Sequence, residues 1–514
     1  MTSDRERRAT AAGGLSRRGF LGGAVAGAAV AGVGARAAID GTAVTHWDLT
    51  TDVVVMGSGA AGMCAALEAT GQGASVLVLE SLPRFGGSSA MSGGVVYAGG
   101  GTVLQRALGV SDTVEAMYDF IANTGALNPQ RDKVQRYCEE SVAHFDWLVD
   151  QGVPYSEGFT AAKGLPMGDE SLYVSGNELA WPAREQATPA ARGHVPGVAG
   201  MTGGRTLMAA LLGRAGAASI EMQSRSAVTE LVTASDGRVI GVRADMAGET
   251  KHIRAKRGVV LAAGGFIHNR DMLARYAPEL AQCSVPWGNA GDLGAGILLG
   301  LAAGGDVLRM DHGFAIAPIY PPENVLSGIV VNHQAQRFVA EDSYHGVLGH
   351  HIAYQQQGKA WLITDADSSY ALAQDNFPEV ASANSIGALA TAVGFPAGAL
   401  QHTLAYYNRF AARGRDPQFQ KSPVYLRPLQ GPPYKAWALS VDEAFFPAHT
   451  FGGLHTDING RVLTPYGEPV PGLFAAGRTT AGLPLAPYIA SGLSLGDCTY
   501  FGRQAGLAAA GDLA

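Results

Sequence analysis

Asp52-Val53-Val54-Val55-Met56 runs directly into Gly57-Ser58-Gly59-Ala60-Ala61-Gly62, an Ala-rich segment follows, and Ser75-Val76-Leu77-Val78-Leu79 ends at Glu80. This is an apolar strand, a G-x-G-x-x-G turn that opens a helix, and a second apolar strand tipped by a carboxylate. In one βαβ unit the three parts predict a dinucleotide site. Gly57 permits the tight turn, Gly59 lets the backbone approach a pyrophosphate, and Gly62 lets the helix pack close to the strands. The first N–H groups of the helix, at Ala60 and Ala61, offer donors and a positive dipole end to the phosphates. Glu80 stands where ribose hydroxyls need an acceptor. The fingerprint specifies a dinucleotide without saying which one.

The rest of the chain bounds the answer. At 514 residues two domains are the natural expectation. Only 16% of residues are charged, 47% are hydrophobic and 70 are glycine, a composition for a packed protein with many tight turns rather than a disordered one. The net charge is −7; the first 37 residues carry +4, which leaves −11 on the body. A mildly acidic body argues against nucleic-acid binding. Cys64, Cys138, Cys283 and Cys498 are far apart and form no C-x-x-C, which excludes an obvious zinc site, iron–sulfur cluster or attached c-type haem. His350-His351 has no carboxylate at ligand spacing, so no metal is expected.

The N-terminus is a separate kind of segment. Ser16-Arg17-Arg18-Gly19-Phe20-Leu21 precedes a Gly/Ala-rich apolar run to Ala35, too short and too weakly hydrophobic to span a bilayer. Twin arginines before a soft apolar core predict a Tat-type signal over residues 1–37 and export to the periplasm, cell envelope or exterior. A basic leader retained in the cytoplasm is the alternative. The Tat route carries folded proteins, which suits a chain that loads a cofactor before export.

Beyond the fingerprint lies a Gly/Ser loop, Phe85-Gly86-Gly87-Ser88-Ser89-Ala90-Met91-Ser92-Gly93-Gly94. Helical periodicity covers 111–152, Gly/Pro-rich sequence predicts loop over 153–203, and a helix is expected over 206–217. Strands are expected at 227–232, 239–243 and 259–266. Residues 286–430 are richer in His, Tyr, Gln and Pro and read as an inserted domain. From 434 the Gly-punctuated strands return, and Ile489-Ala490-Ser491-Gly492-Leu493-Ser494 leads into a last helix. The expected fold is α/β: a Rossmann-type nucleotide-binding domain in two parts, 45–285 and 431–514, interrupted by an α+β substrate cap at 286–430. A second intact G-x-G-x-x-G is absent, so one dinucleotide is expected.

Taken together, Gly57 to Gly62, Glu80, Gly86-Gly87-Ser88-Ser89, Ala263-Gly264-Gly265, Gly452-Gly453-Leu454, Ala475-Ala476-Gly477-Arg478 and Ser491-Gly492-Leu493-Ser494 resemble the fumarate reductase/3-ketosteroid dehydrogenase family of flavoproteins. The resemblance covers nearly everything after residue 45. It implies a glutathione-reductase-like FAD domain and places Gly57, Gly59, Ala60, Ala61, Gly62, Glu80, Gly87, Ser88, Ser89, Gly93, Val228, Ala263, Gly264, Gly477, Ser491, Leu493 and Ser494 at the cofactor. Some relatives attach FAD to a histidine in the early Gly-rich loop; Ser88-Ser89 stand here, so non-covalent FAD is implied.

The family moves a hydride between a substrate carbon and the flavin. Its fumarate branch clamps two carboxylates with arginines. After Arg337-Phe338-Val339-Ala340-Glu341, the position of one such arginine holds Tyr344 or His345, and the tail Leu483 to Ala490 has none. A bidentate fork is the natural carboxylate reader, so its loss points away from a dicarboxylate. The tail is more similar to the 3-ketosteroid 4-dehydrogenases. By that likeness Tyr344, Tyr488, Ser491 and the Gly492 N–H are the catalytic groups, with Tyr488 one residue further from Ser491 than the pattern and Ile489 in the strict position. His449-Thr450-Phe451-Gly452-Gly453 is similar to the family's H-T-x-G-G and lines the site on that likeness. Arg478 either holds substrate or pairs with an acid. The implied reaction is FAD-dependent dehydrogenation of an apolar, 3-ketosteroid-like ketone, with a quinone, cytochrome or dye-like electron partner. The alternatives are an exported enoate reductase fed by such a partner, and a flavin electron carrier with no substrate of its own.

Overall fold

The computed structural model describes residues 38–125, 128–161, 168–198, 202–317, 326–368 and 377–512; the twin-arginine segment lies outside them. The chain divides into two compact units.

The first unit is built on the opening βαβ. Strand β1 (Leu49–Met56), helix α1 (Ala60–Gly71) and strand β2 (Val76–Leu79) follow one another as the apolar runs require. Val53 to Val55 are fully buried, which explains a continuous apolar run in place of alternation: a parallel strand covered on both faces presents no polar side. Strand β3 (Glu249–Leu261) pairs in parallel with β1, and strand β4 (Pro469–Ala475) pairs in parallel with β3, which brings the C-terminal part of the chain into the sheet. Among the described residues this sheet has nine strands. Its face of Val53, Val55, Val76, Val78 and Val260 packs against Ala61, Ala65 and Ala69 of α1 and Ala505 and Ala509 of the last helix, α2 (Leu493–Gly511). Alanine on both helices keeps the separation small.

Three local expectations change. The segment expected as loop over 153–203 contains Phe159–Thr160, Leu172–Tyr173 and Gly193–His194, which join Val96–Tyr97 in a small sheet. Pieces of two residues carry no alternation to read. The strand expected to 266 stops at Leu261, because Ala262 to Gly265 turn across the sheet's end. The helix expected from Thr206 begins at Gly203.

The second unit comprises Gln282–Val285 and Ala315–Pro447. Its antiparallel sheet has the order Ile329–Val331, Trp361–Thr364, Tyr434–Ala438, Glu379–Ala383. Helices Ile386–Val393 and Ala399–Ala411 lay Leu389, Leu400, Leu404 and Tyr407 against Ile329, Ile363 and Ala436. Residues 286–314 pack in the first unit, and 431–447 in the second, where Tyr434–Ala438 is an interior strand.

At the heart of the second unit Arg337 donates bidentate bonds to Glu341 (2.9 and 2.8 Å) and to Asp416 (3.0 and 2.9 Å). Its guanidinium also stacks on Tyr407 and Phe419, and Lys421 lies 3.3 Å from Glu341. The arginine of the fumarate-like stretch is thus engaged inside the unit's own core.

Candidate functional site

A cleft opens in the first unit where β1, β2 and β3 end. It is lined from Glu80, Ser81 and Leu82 past Gly57 to Ala61, and on to Gly87, Ser88 and Ser89. This is the carboxyl edge of a parallel sheet, where α/β folds bind ligands. Gly57 has φ +102°, and a Cβ there would lie 2.4 Å from the Ala262 carbonyl oxygen. A Cβ on Gly62 would lie 1.9 Å from the Gly57 carbonyl oxygen. The fingerprint glycines therefore fix the turn and seat α1 on it. In the first turn of α1 the N–H groups precede any helical acceptor; that of Ala60 donates to Ser89 Oγ at 3.1 Å. Glu80 is oriented by Ser58, whose N–H and Oγ donate to Oε2 at 3.1 and 2.7 Å, and by the Leu82 N–H, which donates to Oε1 at 2.9 Å. The Ser81 hydroxyl adds a longer bond to Oε1 at 3.4 Å, so the carboxylate is held in place at the rim of the cleft.

Of the expected cofactor residues, Gly57, Gly59, Ala60, Ala61, Glu80, Gly87, Ser88, Ser89, Val228, Ala263, Gly264 and Gly477 line this cleft. Gly62 lies behind the turn. Gly93 lies against the start of the helix Gly203–Ala217, its carbonyl oxygen 2.3 Å from where a Cβ on Gly203 would be. Ser491, Leu493 and Ser494 stand apart from the cleft at the N-terminus of α2.

The cleft also holds a polar cluster that the sequence did not announce. Asp292 Oδ2 accepts from Ser88 Oγ at 2.8 Å and from Arg478 Nη2 at 2.5 Å, and the Asn289 N–H donates to Ser88 Oγ at 2.9 Å. Arg478 Nη1 is sealed from solvent with no hydrogen-bond partner in the protein. Asn289 and Asp292 fall in the stretch expected to belong to the cap, where nothing in the local pattern ties them to the fingerprint. Asp292→Ala leaves a largely buried guanidinium without its carboxylate, which typically costs about 3–5 kcal/mol. The variant is expected to purify with a lower flavin-to-protein ratio and a depressed melting temperature, read by absorbance and calorimetry.

The second constellation is the tail. Tyr488, 3% exposed, projects its hydroxyl to the start of α2, where the Ser494 N–H and Ser494 Oγ donate to it at 2.9 and 3.0 Å. Burial pushes its pKa up to about 12, and the hydrogen bonds from Ser494 and the Gly492 backbone limit the rise. Gly492, with φ +103°, donates toward Tyr488 and accepts from the Tyr97 N–H at 3.1 Å. Ser491 is fixed by its main chain: its N–H donates to the Ser175 carbonyl at 3.0 Å and its carbonyl accepts from Ser175 Oγ at 2.9 Å. The sealed Tyr173 hydroxyl faces the Ser491 side chain. Around Tyr488 stand Phe314 and Phe451 at ring separations of 4.6 and 5.0 Å, with His449 against both phenylalanines at 5.1 and 5.2 Å. Burial, reinforced by the nearby Arg478 charge, holds His449 well below the usual imidazole range, so it is neutral. Tyr173, Phe314 and Ser175 were not singled out in the sequence, because short strands and a lone aromatic carry no motif.

Tyr344 belongs to the second unit. It caps the helix His345–His350, is 3% exposed, and its ring lies 3.9 Å from that of His345.

A family model described as an FAD binding domain matches residues 52–486. The chain belongs to the fumarate reductase/3-ketosteroid dehydrogenase family of FAD-binding flavoproteins. A solved 3-ketosteroid-Δ4-(5α)-dehydrogenase from Rhodococcus jostii RHA1, in complex with 4-androstene-3,17-dione, is similar at 40% identity and a TM-score of 0.87, over 92% of this chain and 100% of that one. Urocanate reductase from Eggerthella lenta is 29% identical over 90% of this chain and 75% of its own. The 3-oxo-5-alpha-steroid 4-dehydrogenase of Comamonas testosteroni is 29% identical over 84% of this chain and 93% of its own. The flavoprotein's cofactor is FAD, and it is an oxidoreductase acting on CH–CH bonds. The cleft fits that cofactor: a cradle at Gly57 and Gly62 that excludes a Cβ, helix N–H donors, and a carboxylate oriented at the ribose end. No helix among the described residues is long and apolar enough to cross a membrane, and no His/Cys/Asp/Glu group there could hold a metal.

Proposed function

We propose that this flavoprotein is exported and dehydrogenates a bulky apolar ketone of the 3-ketosteroid type, placing a C=C bond beside the carbonyl. The observation that carries this reading is the tail: an uncharged Tyr488 hydroxyl anchored on the start of α2 and ringed by Phe314, Phe451 and a neutral His449. Such surroundings suit a flat apolar ketone, and none of these four residues is an arginine that could clamp a carboxylate. The 40% identical Rhodococcus dehydrogenase supports the same substrate class.

The chemistry follows from the ketone. Its carbonyl acidifies the C–H bonds on the adjacent carbon, and stabilising the developing oxygen charge lowers the barrier to removing that proton. With Ser494 donating to its oxygen, Tyr488 directs its own O–H as a donor to the ketone. Gly492 contributes by holding Tyr488, and Ser491 by passing a proton. Tyr344 relays the proton from the carbon next to the carbonyl, accepting it as its own hydroxyl proton passes on to solvent. FAD, when bound, would supply the hydride acceptor for the neighbouring carbon, with a quinone, cytochrome or dye-like molecule as the final electron acceptor.

Non-covalent FAD is part of the reading, since no histidine is among the residues that line the cleft. Export rests on Arg17-Arg18, and a fusion of residues 1–37 to a reporter that folds before translocation tests it. Tyr344→Phe is expected to lower turnover about 100-fold with FAD content unchanged. Steady-state assay with a dye acceptor measures it, and an unchanged rate removes Tyr344 from the chemistry. The urocanate reductase likeness favours, as second reading, reduction of an activated alkene by the same fold.

A further inference from the structure

We propose that Asp497 is a positioning residue for Tyr488, acting together with Arg309; the inference rests on the catalytic reading of Tyr488. The stretch from Ala481 to Pro487 has no regular structure, so its path is set by the side chains that hold it. Asp497 lies on α2 three residues beyond Ser494, on the same face of the helix. Its carboxylate is 3% exposed, and Oδ1 accepts the Leu483 N–H at 2.8 Å. The chain crosses directly over this carboxylate: a Cβ on Gly482 would lie 2.2 and 2.4 Å from its two oxygens.

On the other side, Arg309 Nη2 donates to the carbonyls of Ala481 and Gly482 at 3.1 and 3.3 Å and to Gln130 Oε1 at 2.8 Å. Arg309 sits in the left-handed region at φ +53°, a conformation that a bulky residue holds only when its surroundings enforce it. Further along, the Ala486 N–H donates to His312 Nδ1 at 3.3 Å. Beneath lies Lys133, 2% exposed, whose Nζ donates to Thr456 Oγ1 at 2.7 Å. Lys133 and Arg309 both attract the Asp497 carboxylate.

One turn of α2 therefore grips both ends of the stretch: Asp497 holds Leu483, and Ser494 holds the Tyr488 hydroxyl. Releasing the first grip lets the second slip, and a hydroxyl displaced by about 1 Å loses its aim at a reacting carbonyl.

The test uses the full-length holoenzyme, 5α-androstane-3,17-dione and a dye acceptor. Asp497→Ala is expected to lower kcat about tenfold or more, with KM within about threefold and full flavin content. Asp497→Asn keeps an acceptor for the Leu483 N–H and is expected to restore kcat to within about threefold of wild type. In the double variant with Tyr488→Phe, the loss is expected to be no greater than in Tyr488→Phe alone, because both act through one hydroxyl. Additive losses, equal impairment by Asn and Ala, or wild-type kcat in Asp497→Ala would overturn the proposal. Where Asp497→Ala fails to fold, Arg309→Gln removes the opposite clamp and carries the same expectation. Wild-type kcat in Tyr488→Phe would instead overturn the catalytic reading of Tyr488, a different outcome from any of these.

Discussion

Gly62→Ala is expected to give a protein that purifies nearly colourless and melts well below wild type. The added methyl would sit 1.9 Å from the Gly57 carbonyl oxygen, closer than any real carbon–oxygen contact. Because the oxygen belongs to the backbone of the turn, relief means moving either α1 or the turn itself. Overpacking a core typically costs about 1–3 kcal/mol, and more where backbone must shift. Here the shifted element is also the one that presents N–H groups to the cofactor phosphates, so stability and FAD affinity fall together. Gly213→Ala is the control. It lies inside the helix Gly203–Ala217, where a Cβ would meet nothing within 4 Å, and is expected to stabilise by about 0.5–1 kcal/mol. Flavin-to-protein ratio and calorimetry measure both variants.

Arg337→Ala is expected to destabilise the second unit by about 3–5 kcal/mol, since it strands two buried carboxylates. Burial by itself would raise Glu341 and Asp416, but the Arg337 charge and the hydrogen bonds each receives outweigh it and hold both below their ordinary values of 4.5 and 3.8. A carboxylate depressed by folding contributes stability that is fully present above its unfolded pKa and is lost as pH falls through its folded one. Wild type is therefore expected to keep its melting temperature down to about pH 5 and to lose it progressively below. In Arg337→Ala the carboxylates lose their principal counter-charge, and the acid transition moves to higher pH. Calorimetry between pH 3 and 8 (roughly the span over which carboxylates titrate) follows both effects.

These two residues also show how far the sequence could be read. Gly62 was legible because a strand, a turn and a helix must meet within a few residues, and only a missing Cβ allows it. The nucleotide-binding half of the fold followed from that meeting and from the later glycine segments. Arg337 was legible only as part of a motif. Its partner Asp416 lies 79 residues away, a separation that no local pattern encodes. The same holds for the cleft: Glu80 and Ser88 are close to the fingerprint in sequence, whereas Asp292 and Asn289 reach it by long-range packing. Segments of mixed polarity misled most. Residues 286–314 pack in the first unit, where Asn289, Asp292 and Leu293 line the cleft, although the sequence read them as the start of another domain. In the tail, the one-residue offset of Tyr488 looked like a departure from the pattern. Its hydroxyl nonetheless meets Ser494 at the start of α2, a contact set by the path of residues 481–487 and invisible in their composition.

Anaerobic mixing of the yellow holoenzyme with 5α-androstane-3,17-dione, followed at the flavin band near ~450 nm, tests the proposed reaction most directly. The flavin is expected to bleach in a single turnover as the enone forms, and fumarate added afterwards is expected to leave it bleached. A flavin that stays oxidised with the saturated ketone, or a reduced protein that fumarate reoxidises, would contradict it.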